Sequence, residues 1–480
     1  MNVLISKLFI LFSFCLIFEN VFSQKIDSSF NTNISSKISP SKFIVSDIII
    51  SGNRNTRKYI ILREMRINVG DSIEPSEIHR KLSESKDLIY NSTLFSIVEL
   101  SPIFKDSNKV VIKVNLIERW YIYPSPVFKL ADRNFNEWYK TNHADLGRVT
   151  YGVKFSHNNL TGRGDDLDIF LLNGYSRNFT VGYSNPYINK DLTLGLSIKA
   201  GLSQNREVAY KTNYFNKSLS YNNSYLDKTV FYVGGSLKYR RGFYKKHSFS
   251  LIYNYNKIND TLLSSSFNPH YFNLNQSSIS FLDLIYKFQY LKTDNVNYPL
   301  RGLIYEIGIL KRGFGWSGGI NMFSISASYN KYYKLRYKFY GSIETSGNLK
   351  LPFEQPFINQ GAMGYGSYYL SGLEYYVIDG VASNISKFKL RKKILDVKIP
   401  MPIKNRWVPY IPLSIFAKTF VNTGFAYNKD EYNTRLNNRF LSTYGIGVDL
   451  LSLYDVNMNL EYSFNQLGEK GLFLHFKGSL

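Results

Sequence analysis

The chain is nearly free of cysteine: its one thiol, Cys15, lies in an N-terminal apolar stretch. A chain trimmed of that stretch holds no disulfide and no cysteine-ligated metal. Long hydrophobic runs are missing too. Beyond Leu8 to Phe18, nothing approaches the roughly eighteen apolar residues that a spanning helix needs. The six histidines, His79, His143, His157, His247, His270 and His475, show no ligand-like spacing. There is no nucleophile elbow and no glycine-rich phosphate loop, and sequence order assembles no Ser-His-Asp set. The expectation is therefore a protein that is not an enzyme, with no catalytic residue, no metal and no cofactor. Acidic residues are scarce as well, 36 against 59 basic ones, for a net charge of +23. Such a balance invites a nucleic-acid reading. Signs of export exclude that partner and favour anionic outer-leaflet lipid, or a basic lumen that disfavours cations.

What is abundant is alternation. Leu192, Leu194, Leu196, Ile198 and Ala200 interleave with Thr193, Gly195, Ser197, Lys199 and Gly201. Leu335, Tyr337, Phe339, Gly341 and Ile343 do so with Arg336, Lys338, Tyr340, Ser342 and Glu344. Val456, Met458, Leu460, Tyr462 and Phe464 do so with Asn457, Asn459, Glu461, Ser463 and Asn465. Strand side chains point to opposite faces at every second residue, so each segment is a ribbon with one apolar and one wet side. About ten residues is the length a tilted strand needs to cross a bilayer. In lipid, only closed barrels satisfy the backbone groups of strands. Aromatics at 16%, with 39 Tyr and 35 Phe, suit girdles at two membrane interfaces. The fold class expected is mostly β: a transmembrane antiparallel barrel of about sixteen strands behind one small α+β domain.

The order of segments sets the domains. Lys7, the apolar stretch and Val21-Phe22-Ser23 read as a signal peptide over 1–23, and 24–42 as a flexible tether. Over 43–118 the pattern is strand, helix, helix, strand, strand. Ile44 to Ile50 forms a strand closed by Gly52-Asn53, and Thr56 is placed to cap a first helix carrying Ile60, Ile61 and Met65. Pro75 opens a second helix lined by Ile78, Leu82 and Ile89. Strands follow at Phe95 to Phe104 and Val110 to Ile117. Residues 119–147 read as a connector and 148–480 as the barrel.

This order, with Ile48-Ile49-Ile50-Ser51-Gly52-Asn53 and Val110-Val111-Ile112-Lys113-Val114, resembles a POTRA domain of the Omp85 (D15 surface antigen) family. Ala131-Asp132-Arg133-Asn134-Phe135-Asn136-Glu137-Trp138 resembles that family's connector, and Asn159-Leu160-Thr161-Gly162-Arg163-Gly164 the end of its first barrel hairpin. Asp294, Pro299 and Gly302 resemble its mid-barrel aspartate and turn, which close a tight turn on structural grounds in any case. Gly364 to Tyr376 resembles its long sixth loop, which folds into the lumen and sets an Arg-Gly-aromatic tip against an acid on the wall. Here the tip is Ser371-Gly372-Leu373, and the wall segment with Gly424 carries Asn422 in place of the aspartate. The expectation is a weaker neutral dock through Ser371 and Asn422.

The resemblance also implies a lateral seam, where the last strand with Leu474 and Phe476 meets a first strand near Tyr151 and Val153. The module's exposed edge, at Ile48, Ile50, Gly52 and Asn53, is expected to recruit clients by β-augmentation. The implied function is insertion of other barrels or export of polypeptides at the cell outer membrane, with the POTRA domain in the periplasm. The implied partners are unfolded outer-membrane or secreted polypeptides and the lipid bilayer, with room for accessory lipoproteins. The alternative is a passive pore or surface receptor that keeps the scaffold without insertase activity.

Overall fold

A computed structural model describes residues 42–105, 108–130, 143–223, 225–273, 276–314, 319–401, 408–429 and 434–477. The expected signal peptide with Cys15, nearly all of the tether, the 131–138 connector text and the terminal Gly478-Ser479-Leu480 lie outside the described residues.

The N-terminal module consists of β1 (Phe43–Ser51), α1 (Lys58–Arg63), β2 (Ser72–Ile73), α2 (Pro75–Tyr90), β3 (Phe95–Phe104) and β4 (Lys109–Glu118). Its sheet runs β2-β1-β4-β3, with β1 and β4 parallel. Ile78, Leu82 and Ile89, spaced on one helical face, pack with Ile48, Ile60, Ile61 and Met65 over Val110, Ile112, Val114 and Leu116. Pro75 stands in the first turn of α2, where its missing N–H costs nothing. Thr56 does not cap α1, whose N-cap is Arg57 with no side-chain bond. The Thr56 backbone N–H donates instead to Glu118 Oε1 at 2.7 Å. That bond ties the helix entry to the end of β4.

The large sheet contains β5 (Ile122–Leu130), β6 (Val149–His157), β7 (Asp166–Gly174), β8 (Ser176–Asn185) and β9 (Leu194–Asn205). A side hairpin, β10 (Glu207–Thr212) and β11 (Ser218–Asn222), precedes β12 (Lys228–Tyr239), β13 (Lys245–Ile258), β14 (Ser278–Thr293), β15 (Gly302–Arg312), β16 (Met322–Lys334) and β17 (Phe339–Leu351). A loop with α3 (Phe357–Gln360), β18 (Gly361–Met363) and β19 (Ile378–Asp379) leads to β20 (Ala382–Pro400), β21 (Tyr410–Tyr427), β22 (Phe440–Leu451), β23 (Asn457–Asn465) and β24 (Lys470–Lys477). Sixteen of these form one antiparallel meander from β5 to β24, each paired with its neighbours along the chain. Two expectations shift. The first strand, β5, lies inside the expected connector 119–147, so the sheet starts before 148. The segment from Leu335 is not one strand, because Leu335 to Lys338 form the turn before β17.

The alternation fixes the two faces. On β23, Leu460 is exposed while Asn457, Glu461, Ser463 and Asn465 are buried. On β9, Leu194, Leu196 and Ile198 are exposed and Gly195 is buried. Exposed Phe231, Val233, Phe249, Leu251, Ile307, Ile325, Val421, Ile446 and Val448 continue an outward apolar belt, which water would penalise and lipid would accept.

Candidate functional site: a strand seam, a fastened module and an inward loop

Among the described residues, no ladder joins β5 to β24. β24 bonds only to β23 on one side, with Leu474 opposite Leu460 and Phe476 opposite Met458. Leu474 and Phe476 point outward, 53% and 70% exposed. Tyr151 and Val153 are not at this seam. They sit on β6, which is paired on both sides, Val153 with Pro126 and with Leu171. The edge strand is β5, one strand earlier than expected. Its two prolines, Pro124 and Pro126, lack N–H donors, as edge strands tolerate.

The module is bound to the turns at one end of the barrel. The Arg240 guanidinium, in the β12–β13 turn, meets Glu64 with two bonds of 2.6 and 2.7 Å. Tyr187 OH donates to Glu64 Oε1 as well, at 3.1 Å. At the β22–β23 turn, Asp455 accepts from Arg119 at 2.8 Å, from Tyr90 OH at 2.7 Å and from Asn295 at 2.7 Å. Arg119 and Asp455 are both 4% exposed. Asn159 donates to Thr56 Oγ1 at 2.9 Å, and the Arg57 N–H to the Gly162 carbonyl at 2.8 Å. The turn with Asp294 is part of this fastening. Asp294 Oδ1 accepts from the backbone of Asn295, Leu300 and Arg301, so its role is to shape the turn holding Pro299 and Gly302. Arg301 then reaches Asp87 at 2.8 Å. Although that guanidinium draws it down, burial pushes the Asp87 carboxyl up to about 6.

Beyond its first residues, β1 has a ladder on one side only, with β4. Ile48 is buried in the core and Ile50 packs against it, so neither presents its side chain at the edge. The exposed position between them is Ile49. Gly52 has φ of +90° with Leu116 O behind it, and Asn53 Nδ2 donates to Thr56 O at 3.1 Å. A cavity of about 830 Å³ lies next to this turn, lined by Asn53, Arg57, Trp120, Ile122 and His157. It connects the end of β1 to the start of β5.

At the opposite end, the sixth connection, between β17 and β20, turns inward. Leu370, Leu373, Tyr376 and Ile378 of the loop pack with Ile385, Ala426 and Leu441 of the wall. Gly424 makes the space: a Cβ there would stand 2.9 Å from Leu370 Cδ1 and 3.3 Å from Asn384 O. Gly364, at φ +82°, lies so close to the Tyr376 carbonyl that a Cβ would be 2.0 Å away. Buried Lys350 holds the loop base, donating to the carbonyls of Asn359 and Gly361 at 2.7 and 2.6 Å.

The polar dock differs from the expected one. Asn422 Nδ2 donates to Thr443 Oγ1 at 3.1 Å, not to Ser371. Ser371 faces the Glu461 carboxylate on β23, and the Gly372 carbonyl accepts from Asn465 at 2.9 Å. Around this point the wall carries alternating charges. Glu344 pairs with Lys389 at 2.8 Å, and Arg391 lies 3.5 Å from Asp449. Lys418 bridges Asp449 and Glu461, the latter at 2.6 Å. Spacing of two along each strand puts these groups on one face, and the register of the neighbouring strands β17, β20, β21, β22 and β23 brings Glu344, Arg391, Lys418, Asp449 and Glu461 together.

Residues 43–118 match the family described as POTRA, surface antigen variable number repeat. CdiB from Escherichia coli shares the fold, at TM-score 0.50 and 11% identity over 91% of this chain and 75% of that one. BamA from Haemophilus ducreyi lacking POTRA domains 1–3 aligns at TM-score 0.49 and 16% identity, over 91% and 84%. CdiB from Acinetobacter baumannii aligns at 0.46 and 12%, over 91% and 73%. No curated protein matches significantly.

Proposed function

We propose that this chain, Omp85-type in build with a single POTRA module before a sixteen-stranded barrel, sits in the outer membrane and guides unfolded polypeptides into or across it. The observation that carries the reading is the seam between β5 and β24, across which no strand ladder forms among the described residues. A strand edge exposed to lipid leaves a row of unsatisfied N–H and C=O groups, each costing several kcal/mol. An incoming strand can satisfy them, and β-augmentation then becomes the source of affinity. The cavity between the β1 turn and the start of β5 supports a route from the module edge to the seam. The outward Leu474 and Phe476 would meet lipid, or the client's own outward face.

The inward loop argues against the alternative of a passive pore, because its apolar cluster and the charge belt occupy the lumen face of β20 to β23. The test is photo-crosslinking from position 474 or 126 during depletion and restoration of the protein. Capture of unfolded barrel or secreted chains at both positions supports the reading. Unaltered outer-membrane protein levels on depletion, with lost solute uptake, would replace it with the pore.

A further inference from the structure

Three side chains converge where the loop tip meets the last two strands. Glu374 comes from the loop, Glu461 from β23 and His475 from β24. One ligand-type atom from each lies within 4.8 Å of the other two. Glu374 Oε1 and His475 Nε2 are 3.4 Å apart. All three residues carry a buried polar atom that makes no well-formed hydrogen bond, Glu374 Oε1, Glu461 Oε2 and His475 Nε2; the first and last face each other as an ion pair when the imidazole is protonated, and Ser371 stands beside the Glu461 carboxylate. The Glu461 side chain is only 9% exposed. Buried polar atoms are nearly always satisfied, so three orphans at one point call for a shared partner.

The other atom of each residue is already held. His475 Nδ1 pairs with Tyr369 OH at 3.1 Å, which leaves Nε2 as the free nitrogen. Glu374 Oε2 accepts from the Gly372 N–H at 2.7 Å, and Glu461 Oε1 from Lys418 at 2.6 Å. Outer partners of this kind fix the tautomer and the carboxylate orientation of metal ligands. We propose that Glu374, Glu461 and His475 form a divalent-cation site of the zinc type, which clips the sixth loop to the end of the barrel sheet.

One imidazole and two carboxylates leave a fourth position for water, as open zinc sites do. Ligand bonds of about 2.1 Å require ligand atoms about 3.4 Å apart in a tetrahedral set. The Glu374–His475 pair meets that spacing, and the Glu461 atom lies within 4.8 Å of both. Charge decides whether a cation is welcome. Lys418 divides its charge between Glu461 and Asp449, and Lys387, 5.0 Å from the Tyr369 ring, acts at longer range on both Glu374 and Glu461. The two carboxylates still leave negative charge at the orphaned atoms. The chain would thus hold its loop by a metal clip rather than an arginine–aspartate pair. The site depends on the loop being docked, but not on what the protein transports.

The test uses the full chain in detergent micelles, stripped with chelator and titrated with Zn²⁺ alone by calorimetry. The expected result is one Zn²⁺ per chain. Glu374→Gln and His475→Ala should each weaken binding at least tenfold, and Tyr369→Phe by about 10-fold to 100-fold through the lost orienting bond. Zn²⁺ should also slow protease cleavage of the loop in the parent chain and not in Glu374→Gln. Absence of uptake by the parent chain, or uptake that neither Glu374→Gln nor His475→Ala reduces, overturns the site. Heat-modifiable migration confirms folding; if His475→Ala fails it, the isosteric Glu374→Gln decides alone.

Discussion

The two ends of the barrel handle buried charge differently. At the module end, Glu64 and Asp455 are completely partnered, Glu64 by Arg240 and Tyr187, Asp455 by Arg119, Tyr90 and Asn295. At the loop end, apolar packing, Lys350 and Asn465 hold the loop, and the carboxylates next to the loop tip each keep one oxygen without a hydrogen bond. A charge taken out of water is tolerated only with full compensation, so the module end reads as a fixed joint. The loop end keeps polar capacity in reserve, which a joint has no use for and a binding or moving element does.

The largest expected effect comes from breaking the joint. Arg119→Ala leaves Asp455 buried without its charge partner and should destabilise the junction by about 3–5 kcal/mol. Chemical unfolding, together with protease access to the module, measures it. Parent-like stability would show that the joint is not what holds the module. At the loop end, Leu370→Ala removes a buried side chain from the plug cluster and should cost about 2–5 kcal/mol. That loss should appear as loop proteolysis, with the module's own unfolding unchanged.

Next in size is Gly364→Ala. It forces a left-handed φ on a residue with a Cβ and meets the Tyr376 carbonyl, for about 1–3 kcal/mol of strain. Thermal melting of the loop contacts would register it, and an unchanged melt would mean that the loop end yields where the joint does not. The smallest effect is a pH dependence. The folded Asp87 carboxyl titrates near 6, above its ordinary value of 3.8, so the native state binds the extra proton. Its contribution to stability is full below about pH 4 and is lost as pH rises through 6. Unfolding at pH 4, 5 and 7 should show this decline, and Asp87→Asn should flatten it.

Legibility followed periodicity. The alternation at 457–465 gave both faces of β23, and the helical spacing of Ile78, Leu82 and Ile89 gave the core face of α2. Where the pattern carried no punctuation, the reading slipped. β5 falls in the stretch expected as connector; its Pro124 and Pro126 are not strand signals, although an edge strand accepts proline because half its N–H groups need no partner. Leu335 and Tyr337 alternate as a strand would, yet they form a turn. Asn422 and Ser371 were singled out by resemblance, while the loop's polar neighbours are Glu461 and Asn465, two strands' length further along the chain. No local signal linked Glu374, Glu461 and His475, because their sequence separations match no ligand motif.

By itself the sequence determined that this chain makes two-faced strands behind a small mixed module, since period-two alternation and helical spacing are local properties of the backbone. Only the tertiary structure decided which strand lies at the seam, which turns grip the module and which wall groups face the loop tip. Those depend on register and curvature, which bring residues a hundred positions apart within bonding distance and leave no trace in local spacing.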